Sequence, residues 1–547
     1  VINLNEDEFY ELGKYLYHKR WNIETGENSQ KEINNYLNFG KRMEYLAKKY
    51  PSKCAIVCED EQISYSEFRK RYLRLSYYFK NQGFKKGDKF ALHLENSEMF
   101  IIILFSLLEL GIVPVLLLPA HEKKEIMGVV KKADVKAIIV DKRDASYEEI
   151  IDEVVRENIN LEKVYISMEL KNISLDENID FTDFVSEEVD FNDTALLLLS
   201  GGTTGLPKLI ARTQGDYIYN NEALARRLLL NEESVFLSIL PLAHNFPLGA
   251  PGIMGTLLCG GKVVVGKYAT PLEILYLIEK EKVTFVSLVP TVLNMCMQYR
   301  KIDDSDDLKS LEFIMVGGAV LPAKLSKNVD KLFGAKLIQI YGTAEGLCCC
   351  NFLQDDFETR ISCQGKPCSP FDILKIVDEN GNELPKGKEG ELVTKGPYTI
   401  KSYYQLEEKQ MEYFTSDGFY KTGDRVKIDK RGNVFVLGRA KEQINRAGEK
   451  IMPLEIEEAL LTNEAIDECA IAGVKDELLG NRICAFVKAN KNITLNDIKK
   501  YLKSKNMASF KMPDELILVD SMPYTAVKKI DKNKLIKIFE KRKPVFT

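Results

Sequence analysis

A rhythm of short apolar runs and longer helical stretches constrains this chain more than any other feature. Helical periodicity over Phe39 to Lys49 and Tyr65 to Gln82 alternates with the runs Phe90 to Leu94, Val113 to Leu118 and Ala137 to Val140. That alternation predicts a parallel sheet covered by helices. A second set begins at Thr194 to Leu199 and continues through Ser234 to Ile239, Lys262 to Val265, Phe285 to Val289, Phe313 to Val316 and Lys336 to Ile340. Two α/β layers follow. From about Ile373 the strands shorten, with Asp378-Glu-Asn-Gly381, Leu384-Pro-Lys-Gly387 and Asp429-Lys-Arg-Gly432 as turns between them, a pattern for a small β-barrel or sheet. Gly438-Arg-Ala-Lys-Glu-Gln443 then breaks the apolar pattern before α+β alternation resumes. The expected architecture is α/β. A large N-terminal domain (1–438) holds two α/β layered subdomains and a small β-barrel at about 373–438. A hinge at 439–441, placed at Lys441, precedes a small mobile α+β domain (442–547).

Composition removes several classes of function. A chain of 547 residues exceeds one hydrophobic core, and 45% hydrophobic with 29% charged residues is the make-up of a packed protein. A net charge of −5 offers no basic face for nucleic acid. The most apolar stretch, Ile101 to Leu118, contains Glu109, Gly111 and Pro114, and divides into a buried helix and a strand better than it spans a membrane. Val1 to Tyr17 is acidic and amphipathic, unlike a secretion signal, so a cytoplasmic setting is expected. Eleven cysteines form no paired framework, Cys348, Cys349 and Cys350 being adjacent, and read as reduced. Four scattered histidines, His18, His93, His121 and His244, argue against a multi-histidine metal centre; any metal should arrive with a phosphate substrate. Lys301 to Lys309 reads as a solvated loop.

Thr194 to Leu199 runs straight into Ser200-Gly-Gly-Thr-Thr-Gly-Leu-Pro-Lys208. Gly201 and Gly202 let backbone N–H groups curl around phosphate oxygens, the hydroxyls of Ser200, Thr203 and Thr204 add donors, and Lys208 adds charge. The spacing fits neither the Walker loop nor the dinucleotide loop. Taken alone, the loop has a serious competing reading as a flexible turn.

Further segments follow in fixed order: Pro241-Leu-Ala-His-Asn-Phe-Pro247, Gly317-Gly-Ala319, Tyr341-Gly-Thr-Ala-Glu345, Tyr420-Lys-Thr-Gly-Asp424, Gly438-Arg-Ala-Lys441 and Thr525-Ala-Val-Lys-Lys-Ile-Asp531. With the phosphate loop, this series resembles the core motifs of the acyl-CoA synthetase, adenylation-domain and firefly-luciferase superfamily. Within it, Ala243 to Pro247, Ala344-Glu-Gly-Leu347, Gln443 to Glu449 and the stretch from Trp21 to Asn28 are similar to the stand-alone aryl-acid AMP ligases of siderophore and nonribosomal peptide assembly.

The resemblance implies a reaction and a set of roles. A carboxylate attacks the α-phosphorus of ATP and pyrophosphate leaves, so the protein chiefly neutralises charge and aligns anions. Lys529 would bridge carboxylate and α-phosphate, although Lys528 stands where the superfamily usually has glycine. Glu345, with Thr204, would hold Mg²⁺. Asp424 would accept from the ribose hydroxyls, helped by Arg439. Gly317, Gly318 and Ala319 would let adenine approach the backbone, Tyr341 would stack on it, and Gln339, Ile340, Gly342 and Thr343 would complete the nucleotide site. Lys441 would serve the rotation that brings the Gly448-Glu449 loop to the site for a thiol-accepting step.

For the acid, the resemblance places His244, Asn245, Phe246, Ala250, Gly318 and Cys348 around the acyl pocket. Asn245 would bond a ring hydroxyl. Ala250 stands where the dihydroxybenzoate enzymes usually carry serine, and Cys348 where they carry valine. Salicylate or another monohydroxybenzoate is therefore expected over 2,3-dihydroxybenzoate. The expected acceptor is the phosphopantetheine thiol of a separate aryl carrier protein, with no nucleic-acid or membrane partner. An aryl- or acyl-CoA ligase is the alternative enzyme, and a silent acid- or nucleotide-binding scaffold the alternative of another class.

Overall fold

The computed structural model describes residues 4–21, 30–158, 160–200, 207–406, 410–446, 449–476, 479–525 and 527–542. Two large sheets carry the N-terminal domain. One has six strands in the order Lys163–Ile166, Ala137–Val140, Lys89–His93, Val113–Leu116, Thr194–Leu199, Leu209–Thr213, all parallel except the last. The other has nine. Its parallel centre, Phe313–Val316, Phe285–Leu288, Val235–Ser238 and Lys262–Val265, is continued on one side by Lys336–Gly342 and on the other by Cys54–Cys58.

The strand rhythm is recovered almost residue for residue, but the division between sheets is not. Thr194–Leu199 was expected to open the second set, yet it pairs with Val113–Leu116 in the six-stranded sheet. The second sheet recruits the far N-terminal hairpin Cys54–Cys58 and Glu61–Ser64 instead. Strands buried on both faces look alike in sequence, so an apolar run does not say which sheet receives it.

Helix Glu98–Leu110 explains the most apolar stretch. All its residues are buried, Ser97 caps it by accepting from Phe100 N–H, and Gly111 ends it at φ 66°. A helix apolar all round is a core helix, and no described helix is long and apolar enough to cross a membrane. Among the described residues the segment expected as a small barrel is an open four-stranded antiparallel meander, Ile373–Val377, Glu389–Lys395, Tyr420–Ile428 and Val434–Arg439. Four strands are too few to close around packed side chains.

The smaller C-terminal domain has its own sheet, Ile466–Asp476, Gly480–Ala489 and Glu515–Leu518. Separate apolar clusters around Ile471, Val487 and Leu502, and around Phe486, Leu535 and Phe539, pack its helices. All eleven cysteines are free thiols.

Candidate active site

Strand ends of the nine-stranded sheet converge on a narrow apolar pocket lined by Leu240, Pro241, His244, Phe246, Val289 and Gly318, which the C-terminal domain closes with Val527 and Lys529. Gly318 lies at φ 83°, and a methyl there would meet Val289 Cγ1 at 3.3 Å and Lys529 Cε at 3.5 Å. Glycine thus leaves room for the lysine arm. Burial lowers the Lys529 ammonium pKa, Arg439 adds to the effect, and Asp424 opposes it. Lys528 is exposed and occupies φ 59°. Of the two adjacent lysines, 529 enters the pocket.

His244 precedes the short helix Asn245–Gly249 and accepts from Phe246 N–H at Nδ1, 3.2 Å. An accepting Nδ1 carries no proton. Burial, assisted by the Lys529 charge, pulls the imidazole pKa down to about 4, so the ring is neutral at pH 7. Asn245 accepts from the buried Tyr217 hydroxyl through Oδ1, 2.9 Å.

Beside the pocket, Asp424 is buried between the Arg439 guanidinium, 2.9 Å from Oδ1, and the Tyr341 hydroxyl, which donates to Oδ2 at 2.6 Å. Burial raises the Asp424 pKa while Arg439 and Tyr341 resist it. The Arg439 side chain is 57% exposed, and its Nη1 donates to the Thr422 carbonyl at 3.2 Å. Glu345 is buried and accepts from the Tyr403 hydroxyl at 2.6 Å. Lys208 lies over the rings of Tyr403 and Tyr413, 4.4 and 3.7 Å from their centroids. Its pKa is lowered by burial, with Glu345 pulling the other way. Ser200 Oγ accepts from Lys208 N–H at 2.9 Å, pinning the two ends of the phosphate loop together. Gly201, Gly202, Thr203 and Thr204 lie outside the described residues, as do Gly448 and the stretch after Trp21.

Two family models match the chain: AMP-binding enzyme over residues 43–404, and AMP-binding enzyme C-terminal domain over residues 455–529. The chain belongs to the AMP-binding enzyme family. It is 37% identical to the 2,3-dihydroxybenzoate-AMP ligase of Bacillus subtilis over 91% of this chain and 93% of that protein. It is 38% identical to pyochelin synthase PchD of Pseudomonas aeruginosa, with 91% and 92% covered. Among solved structures, the Mycobacterium smegmatis MbtA apo structure superposes with a TM-score of 0.69 at 33% identity, covering 91% and 94%.

The AMP-binding enzyme, a ligase, presents groups that suit a nucleotide triphosphate. Thr343 Oγ is buried without a hydrogen-bond partner, the kind of orphan a phosphate oxygen satisfies. Glu345 supplies a hard oxygen ligand of the type that holds Mg²⁺ alongside substrate phosphates. Gly317 packs against Ile340, and a methyl on it would meet Ile340 Cγ2 at 2.6 Å, so the backbone stays bare there. Ala319 follows Gly318 at the same strand end.

Other residues singled out from sequence sit further back. Gln339 is buried, its side chain committed to Arg360 and Gln364. Gly342 lies against Cys348 Sγ, and the Cys348 carbonyl accepts from Cys368 N–H at 2.9 Å. Ala250 and Cys348 are both buried outside the lining of the narrow pocket. Lys441 is exposed in a single 3₁₀ turn, Ala440–Glu442. The residues that sequence reasoning missed are Tyr403, Tyr413, Tyr217 and Val289. Each comes from a segment without motif character, and only tertiary packing brings them to the site.

Proposed function

We propose that this enzyme adenylates an aromatic carboxylic acid of the hydroxybenzoate type and passes the aryl group to the phosphopantetheine thiol of a separate carrier protein. The observation that carries the reading is Lys529, half-buried in an apolar pocket with neutral His244 and flanked by the Asp424–Arg439 pair. A carboxylate oxygen attacks the α-phosphorus, the bond to the β-phosphate breaks, and pyrophosphate leaves. A preorganised ammonium at the point where negative charge gathers contributes about two to three orders of magnitude in rate. Lys208 and Thr343 hold phosphate oxygens, Asp424 accepts from ribose hydroxyls with Arg439 beside it, and Gly317, Gly318, Ala319 and Tyr341 receive the adenine. Glu345, with Thr204, would hold Mg²⁺, which would supply positive charge against the triphosphate.

With its amide oxygen engaged by Tyr217, Asn245 has its N–H₂ left for a ring hydroxyl, while the pocket walls Leu240, Pro241, Phe246 and Val289 bring no hydroxyl for a second. This favours salicylate or another monohydroxybenzoate. In the second step the thiol sulfur attacks the acyl carbon, its proton goes to solvent, and AMP leaves. Rotation about Lys441 serves that step. Free thiols throughout suit the cytoplasm.

ATP–pyrophosphate exchange with benzoate, salicylate, 3- and 4-hydroxybenzoate and dihydroxybenzoates tests the proposal. Salicylate or another monohydroxybenzoate should give the highest kcat/KM, and Lys529→Ala should lower exchange by about 10²–10³-fold. Exchange with none of the panel would point to a silent scaffold. Transfer to CoA but to no holo carrier protein would make it a CoA ligase.

A further inference from the structure

The turn carrying Lys529 is closed on itself. Thr525 N–H donates to the Lys529 carbonyl at 2.7 Å, Lys528 N–H to the Thr525 carbonyl at 2.9 Å, and Lys529 N–H to the Thr525 hydroxyl at 3.2 Å. Lys528 completes it at φ 59°, a left-handed conformation that a residue with a side chain disfavours. With Lys528 so turned, the Lys529 side chain enters the pocket while the Lys528 carbonyl meets the other domain. There the Thr291 hydroxyl donates to it at 2.7 Å. Thr291 is the second residue of helix Pro290–Arg300, and Val289, just before that helix, lines the pocket with Lys529. One strand end therefore supplies both a wall for the lysine arm and a donor for the turn behind it.

We propose that Thr291 is a positioning residue, whose hydroxyl latches the Lys528 carbonyl, seats Lys529 for adenylation, and lets go when the C-terminal domain moves to admit a thiol. The inference rests on the adenylation reading of Lys529. A single neutral hydrogen bond, exposed as this one is, biases an equilibrium by at most about two- to tenfold, enough to favour one arrangement and weak enough to break in every turnover. The exposed pair Lys450 and Glu379 also joins the two domains, and Thr291→Val leaves it in place. The left-handed Lys528 works against the docked turn, which gives the latch something to offset.

The test compares full-length parent, Thr291→Val, which keeps the shape without the hydroxyl, and Thr291→Ser, which keeps the hydroxyl. Hydrogen exchange of the segment 524–531 reads docking without any turnover. Single-turnover formation of the adenylate from ATP and salicylate reads the first step, and transfer from added salicyl-adenylate to pantetheine reads the second. In Thr291→Val, exchange of the turn should quicken and adenylate formation should slow, each by about two- to tenfold. Transfer should be unchanged or faster, and Thr291→Ser should behave as the parent. Unchanged exchange in Thr291→Val, or equal slowing of both steps, would overturn the latch. A parent that makes no adenylate from any benzoate ends the adenylation reading, while exchange of the turn still decides whether Thr291 docks it.

Discussion

His244 shows how far a single side chain departs from its habits when its surroundings are fixed. A protein with four histidines invites an inflection near the ordinary imidazole value of 6.5, but burial beside Lys529 takes His244 to about 4. An unfolded chain then binds more protons than the folded one between those values. The contribution to stability is complete above about 6.5 and falls away as pH drops toward 4. A histidine-resolved NMR titration, assigned by loss of one signal in His244→Gln, should place this ring near 4, and a midpoint near 6.5 would refute the burial argument. Lys528 and Lys529 mark what can be read at this scale. Their motif and the assignment to Lys529 come from the sequence, whereas the left-handed torsion of Lys528 behind that lysine does not. Tyr403 is invisible in the same way, because its meaning lies in reaching Glu345 across 58 residues of chain.

At the level of elements, the site is braced from behind by charges that no motif announces. Helix Glu6–Arg20 ends on Arg20, which donates to the Thr399 carbonyl at 2.8 Å and pairs with Asp216 at 2.6 Å. Arg212 holds the other Asp216 oxygen at 2.8 Å and donates to the Ala344 carbonyl at 3.0 Å, one residue before Glu345. Ile400 N–H in turn reaches the Glu345 carbonyl at 2.8 Å. Burial would raise the Asp216 carboxyl, but Arg212 and Arg20 outweigh it and hold it below its ordinary value of 3.8. The stability it confers is present above that value and lost as pH falls through the lower folded one. Asp216→Ala should leave two guanidinium groups unpaired and cost about 3–5 kcal/mol, read as a lower denaturation midpoint together with weaker adenylation. A midpoint within error of the parent would show that the buried cluster does not hold this segment. The strands and helices themselves were legible because burial on one or both faces imposes a period; these braces were not, because buried arginine has no period.

For the whole molecule, the sequence reveals a large and a small domain but not how they are threaded. If Lys441 is the proposed pivot, Lys441→Pro, which fixes φ in the 3₁₀ turn, should spare adenylate formation and slow thiol transfer by more than about tenfold. Equal rates for both steps would remove the pivot from that residue. The threading follows from sheet membership. Cys54–Cys58 belongs beside Lys262–Val265, while Thr194–Leu199, made in between, goes back to the earlier sheet. During synthesis the N-terminal hairpin therefore emerges with one edge bare and waits until residue 265 has left the ribosome. The nine-stranded sheet therefore cannot be completed by the chain after residue 213 alone, and severing the chain between the two sheets would strand its Cys54–Cys58 edge with the six-stranded one.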